Sequence, residues 1–284
     1  MKRFLGWLAL SAATGWLAVG ALFWVSQEAL IFPAPKISRH VLDQRARDAG
    51  VSVVSLRSAE GNALMAWFLP SPLPQKRVIL YFHGNGSSIT GHAAMYRAFG
   101  IAGWDSFAVE YPGYAGSGGA PGQTSLVSAG QAAWDWLLAQ GYAPNRIAVW
   151  GLSLGGGVAA QLVAGPADPC ALILESTFAS VTLLAQQRAP LWPVELILRH
   201  PFDTLAVANR LQVPVMVIHA RDDGTIPIDL GGRPLAREIP GAIYVELEGF
   251  GHSGQAFLQD PAVQARVLGF LEAAGTAEDA EIND

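Results

Sequence analysis

The stretch Arg146-Ile147-Ala148-Val149-Trp150-Gly151-Leu152-Ser153-Leu154-Gly155-Gly156-Gly157 decides how the rest of the chain is read. Ile147 to Trp150 is a short apolar run of the kind that forms a buried strand. A tight turn follows with Ser153 at its tip, and a helix opens at Leu154. Gly151, Ser153 and Gly155 fit the pattern G-x-S-x-G, the nucleophile elbow. The small flanks are needed because strand and helix approach closely at such a turn. In a chain with 31 glycines, five residues are weak evidence by themselves. The partners of Ser153 have to come from the remainder of the sequence.

Working outward, strands and helices alternate. Val51–Leu56 and Ala63–Leu69 flank Glu60-Gly61-Asn62, a hairpin signal. Val78–Phe82 and Ser106–Val109 are short apolar runs typical of buried parallel strands, and Ala171–Leu174, Val215–His219 and Ile243–Leu247 read as further strands. Segments 92–99, 126–138 and 261–271 read as helices, and residues 40–49 as a helical turn or irregular approach. The implied fold is α/β: a mostly parallel sheet with helices on both faces. Chemistry in such sheets sits at the carboxyl ends of the strands, and each polar motif here follows one. Residues of about 180–203 interrupt the alternation. Pro190, Leu191, Trp192, Pro193, Leu196, Ile197 and Leu198 suggest a small apolar lid, or else an ordinary packed connection.

Composition bounds the function. The chain has 284 residues, of which 51% are hydrophobic and 14% charged, with a net charge of −5. No basic cluster appears, so a nucleic-acid partner is not expected. The single cysteine, Cys170, excludes an internal disulfide and a cysteine-based zinc site. It reads as a small buried hydrophobe.

Phe4 to Val25 is apolar and uncharged, long enough for a membrane-spanning helix of about 20 residues. Residues 1–26 are therefore expected to be an uncleaved anchor. A cleaved signal peptide and a core helix are the alternatives, with Ser11-Ala12-Ala13 and Ala18-Val19-Gly20 as weak cleavage sites. Lys2 and Arg3 should stay cytoplasmic and leave the main domain outside the cytoplasm, on the periplasmic side in a bacterium. Lys36 and Arg39 pull against that orientation. The domain is expected over 27–272, opening with an extended link over 27–38. Residues 273–284 are expected to be a disordered acidic tail.

A serine hydroxyl needs a general base, and the base needs an orienting acid. Of six histidines, His252 sits in a glycine-flanked loop after the last strand, downstream of Ser153. His40 precedes the core, His200 lies in the lid segment, His92 opens a helix, and His83 and His219 should point into the scaffold. The acid should lie between serine and histidine in the chain. Asp223, before Gly224-Thr225-Ile226-Pro227, is best placed. Asp222 and Glu175 are the competitors, with Asp229 further on. An oxyanion would need two N–H donors. The amide of Leu154 is one. The other should come from His83-Gly84-Asn85-Gly86, with the Asn85 amide best placed. This chemistry asks for no metal and no cofactor.

These residues resemble the α/β-hydrolase superfamily, in particular its Bem46-like branch with the ABHD12, ABHD13 and ABHD17 types. The resemblance covers about residues 27–272. It rests on Gln27 through Pro33, His83-Gly84-Asn85, Tyr111-Pro112-Gly113-Tyr114 with Gly116-Ser117-Gly118, and Gly151 to Gly156. It continues in Glu175-Ser176 with Phe178, Leu191-Trp192-Pro193, Phe202-Asp203, His219 with Asp223 and Pro227, and Gly251-His252. It implies an eight-stranded sheet whose first strands are antiparallel. It implies a serine hydrolase with Ser153, Asp223 and His252 as triad, acting on acyl esters, thioesters or lipids. A peptidase, an acyltransferase or a non-catalytic binding member would share the fold. Serine at 153 excludes dehalogenase chemistry, which needs a carboxylate nucleophile. Glu110 stands where relatives commonly have aspartate, and Ala220 where they have glycine.

Overall fold

A computed structural model describes residues 2–281. Helix α1 (Lys2–Ile31) precedes α2 (Arg39–Ala49) and the hairpin β1 (Ser52–Arg57) and β2 (Ala63–Leu69). Then come β3 (Val78–Phe82), α3 (Ala93–Ile101), β4 (Asp105–Val109), α4 (Gln123–Ala139), β5 (Ile147–Leu152), α5 (Leu154–Val163) and β6 (Ala171–Glu175). The two lid helices are α6 (Val181–Arg188) and α7 (Val194–Ile197). The chain closes with β7 (Val215–Ala220), α8 (Gly232–Glu238), β8 (Ile243–Leu247), α9 (Ala256–Gln259) and α10 (Pro261–Glu281).

The eight strands form one sheet in the order β1-β2-β4-β3-β5-β6-β7-β8. β2 runs antiparallel to β1 and to β4, and all the pairs from β4 to β8 are parallel. Every residue of β3 to β7 is buried, because helices cover both faces. That double burial is why these strands read as continuous apolar runs. Alternate side chains feed two cores. Val78, Leu80, Ile147 and Val149 enter one, and Ile79, Tyr81, Ala148 and Trp150 enter the other.

Three segments differ from the sequence-based expectation. α1 continues past residue 26 to Ile31, so only residues 32–38 are extended. Gln27 and Glu28 favour a helix, and Pro33 stops it. Residues 39–49 form a full helix closed by Gly50 in the left-handed conformation at φ 73°. The acidic segment expected to be disordered from 273 continues α10 to Glu281, in keeping with its alanine and glutamate content. Residues 282–284 of that expected tail lie outside the described residues.

Candidate active site

β5 delivers Ser153 to the carboxyl edge of the sheet. Its backbone has φ 53° and ψ −116°, a conformation rare for a residue with a side chain. The flanks permit it. A Cβ on Gly155 would collide with the carbonyl of Phe82 in β3. One on Gly156 would overlap Thr177 Oγ1. The turn is held by Ser153 N–H donating to the Glu175 carbonyl at 2.9 Å and by Gly156 N–H donating to the Ser153 carbonyl at 3.0 Å.

His252 lies in the loop after β8. Its Nε2 is 3.0 Å from Ser153 Oγ, and its Nδ1 is 2.7 Å from Asp223 Oδ2. With Nδ1–H donated to the carboxylate, Nε2 turns its lone pair to the serine hydroxyl. Asp223 follows β7. Its Oδ1 accepts from the amides of Thr225 at 2.9 Å and Ile226 at 2.8 Å. Burial works against its ionisation, but bonds from His219, His252 and the Ile226 amide prevail and hold the carboxyl well below the usual carboxylate range.

The competing acids do other things. Asp222 accepts from the amides of Gly249 at 3.0 Å and Gly251 at 3.2 Å, bracing the loop that carries His252. Glu175 points away into the core and accepts from Trp150 Nε1 at 2.9 Å. Burial pushes its carboxyl up to about 7, against the opposing pull of Trp150 and His252. Asp229 pairs with Arg233 at 2.9 Å.

The other histidines also find places. His219 is fully buried. It accepts from the Gly232 amide at Nδ1 and turns Nε2 to the Ile226 carbonyl at 2.9 Å and to Asp223 Oδ2 at 3.3 Å. It therefore braces the loop of Asp223, as a positioning residue. His92 packs on Tyr81, and burial, helped by neighbouring His83, lowers its ring to about 3. His83 Nε2 lies 2.9 Å from Glu110 Oε1, both wholly buried, at ion-pair distance but without hydrogen-bond alignment. Glu110 Oε2 also accepts from Ser88 Oγ at 2.6 Å and the Ile89 amide at 3.1 Å. This cluster fixes the loop that carries Asn85.

The Leu154 amide opens α5, where the first N–H groups lack intrahelical partners. The loop before Asn85 passes close by, since a Cβ on Gly84 would sit 3.5 Å from Ser153 Cβ. The Asn85 side chain faces elsewhere. Its Nδ2 donates to the Ile31 carbonyl at 2.6 Å, and its Oδ1 accepts from Tyr114 Oη at 3.0 Å. Ser153 and His252 open on a cavity of about 550 Å³ whose walls are mostly apolar. The lid helix α6 lines one side and the last turns of α1 line another. An anchor ending at residue 26 would not make that contribution, so this wall is a feature of the fold rather than of the apolar run. The signal for it is the polar pair Gln27-Glu28 at the end of an apolar run.

No protein-family model matches the chain. It is 28% identical over 255 residues to the uncharacterized protein Rv2307c of Mycobacterium tuberculosis, covering 87% of this chain and 88% of that one. It is 29% identical over 188 residues to the lysophosphatidylserine lipase ABHD12 of Danio rerio, covering 58% of this chain. The chain spans about half the length of the ABHD12 relatives, 48% in that case. Among solved structures, the Pyrococcus furiosus esterase Pf2001 superposes with a TM-score of 0.65 at 17% identity, over 80% of this chain and 95% of the esterase. The α/β hydrolase GrgF from Penicillium gives 0.65 at 16% identity, over 80% of this chain and 99% of GrgF. The chain therefore has the α/β-hydrolase fold, and in sequence it is similar to Rv2307c and to the ABHD12 lipases.

Proposed function

We propose that the protein is a membrane-anchored serine hydrolase that cleaves an acyl ester, thioester or lipid. One observation carries this reading: Ser153, His252 and Asp223 form a single hydrogen-bonded line that opens on an apolar cavity. Ser153 Oγ attacks the acyl carbonyl while His252 Nε2 takes its proton. Asp223 keeps the imidazole oriented and stabilises the imidazolium. The amides of Leu154 and Asn85 hold the oxyanion. Collapse of the tetrahedral intermediate releases the alcohol or thiol, which receives the proton from His252. Water activated by the same histidine then attacks the acyl-enzyme, freeing the acid and restoring Ser153.

The apolar walls suit a hydrocarbon chain better than a peptide, whose amides would be left without partners. The names of the ABHD12 relatives and of the esterase neighbour fit this substrate class. Helix α1 is long and apolar enough to cross a membrane, and it supplies the anchor in this reading.

A fluorophosphonate probe tests the proposal. Ser153 is expected to be labelled in the full-length protein, and Ser153→Ala to lose both label and esterase activity. A folded protein that takes no label, or a Ser153→Ala variant with undiminished hydrolysis, overturns it.

A further inference from the structure

The cavity in front of Ser153 is not closed by the hydrolase domain alone. Phe23, Trp24, Leu30 and Ile31 of α1 line it opposite Val181 and Leu184 of α6. Specific polar contacts hold α1 in that place. Asn85 Nδ2 caps the Ile31 carbonyl at 2.6 Å, so the end of α1 is tied to the loop that also offers the Asn85 amide. The Gln27 side chain donates to the Ile197 carbonyl at 3.2 Å and accepts from the Arg199 amide at 2.7 Å. Glu28 pairs with Arg199 at 2.5 Å and reaches His200 at 3.4 Å.

Aromatic packing extends the contact along α1. Trp192 of the lid stacks on Trp16 at 4.4 Å with the rings 3° from parallel, and it meets Phe23 edge-on at 6.2 Å. Gly20 allows this approach, since a Cβ there would lie 2.6 Å from the Trp192 ring. A free tether would show no such register. Length agrees as well. A 30-residue helix is about 45 Å long, against a hydrocarbon core of about 30 Å. With its amino-terminal part in the bilayer, the last turns stand at the surface where the domain docks, and Trp192 against Trp16 dips the lid into the membrane beside α1. Leu191 and Leu196 of the lid are 84% and 79% exposed and extend the apolar surface beside it.

We propose that the last turns of α1, from Phe23 to Ile31, are the acyl-chain wall of the catalytic pocket and set its chain-length preference, with the lid as the facing wall. The occupant is the hydrocarbon chain of a membrane lipid. The proposal rests on the serine-hydrolase reading for its catalytic consequence, though chain binding by the wall does not depend on it. Each methylene buried against such a wall contributes about 0.8 kcal/mol, so wall residues matter more for long chains than for short ones.

The test uses the full-length protein in detergent micelles. The ratio of kcat/KM for p-nitrophenyl laurate over p-nitrophenyl butyrate is measured for wild type, Phe23→Ala/Leu30→Ala, the cavity-filling Leu30→Trp, and Leu8→Ala as a control on α1 outside the pocket. Both wall variants are expected to lower the ratio about tenfold, and Leu8→Ala to stay within about twofold of wild type. Fluorophosphonate labelling of each variant reports an intact Ser153 site. As a second readout, Leu30→Trp in the Ser153→Ala background is expected to bind a fluorescent long-chain fatty acid about tenfold more weakly than Ser153→Ala alone. An unchanged ratio, or equal loss on both esters with labelling intact, overturns the wall, as does unchanged fatty-acid binding. Absence of labelling in wild type, with binding still weakened by Leu30→Trp, overturns the hydrolase reading and leaves the wall standing.

Discussion

At the residue scale, Ser153 is held in a backbone conformation that costs on the order of 1–3 kcal/mol. Only the close approach of β5, α5 and the Thr177 turn keeps it there. Adding a methyl at Gly156, where it would overlap Thr177 Oγ1, should therefore destabilise the fold. Gly156→Ala is expected to cost about 1–3 kcal/mol in chemical denaturation and to lower activity with it. Asp223→Asn touches both chemistry and stability. The amides of Thr225 and Ile226 keep an oxygen acceptor at Oδ1. His252, however, loses the carboxylate that selects its tautomer. In the proposed mechanism kcat should fall by about 10⁴-fold, and the melting temperature should fall as well, because the amide turns its NH2 to the donors His219 and His252. Glu175 gives a pH signature. Its carboxyl titrates near 7 in the fold and near 4.5 when unfolded, so between those values the folded state holds the extra proton. Stability from this group is present below about pH 4.5 and is lost as pH rises through 7, by about 3 kcal/mol. Glu175→Gln should stabilise the protein relative to wild type at about pH 8 by more than at about pH 5. A constant offset between the two denaturation curves would refute it. The burial behind this behaviour comes from the sheet, and nothing local to Glu175-Ser176 announces it.

At the scale of elements, burial made the central strands legible, and the Glu60-Gly61-Asn62 turn marked the hairpin of β1 and β2. β3 to β7 are covered on both faces, so composition alone marked them. Helix α8 (Gly232–Glu238) went unread because it opens on glycine, carries a proline and has only Gly232 and Leu235 buried. Ser153, His252 and Asp223 could be read as a set because chain order and strand ends constrain them. Their support could not, since it depends on contacts between distant segments. The loop after β3 shows this. His83 and Asn85 are stabilised through Glu110, after β4, which also takes Ser88 Oγ and the Ile89 amide. Glu110→Ala leaves these buried groups without their acceptor and should cost about 3 kcal/mol or more. Glu110→Asp shortens the reach but keeps a carboxyl acceptor. It is expected to lose less stability, and thermal melts of the two variants decide the ranking.

At the scale of the whole molecule, the contacts of α1 bear on its retention, and its flanking charges on which side of a membrane the domain sits. A signal peptidase cutting near Gly20 would remove Trp16 from Trp192 and leave Phe23, Gln27 and Glu28 on a short remnant of their helix. The exposed apolar faces of the lid would then meet water, and the cavity would lose the support of one wall. Retention is therefore expected, and the intact mass of the purified protein should include the segment before Phe23. Orientation is a separate matter of charge. Lys2 and Arg3 lie before the apolar run, while Lys36, Arg39, Arg45 and Arg47 follow it. Charges on the far side are bound up with a folded domain, as when Arg39 pairs with Asp43 at 2.9 Å. Long domains translocate with little regard to such charges, so the short amino-terminal pair should decide. An alkaline phosphatase fused after the last residue is expected to be active, and a fluorescent protein that matures only in the cytoplasm to stay dark. The reverse pattern would put the domain in the cytoplasm. A mature mass lacking the first 20 residues or so would mean a secreted domain whose pocket wall, Phe23 to Ile31, stands without the membrane-spanning part of its helix.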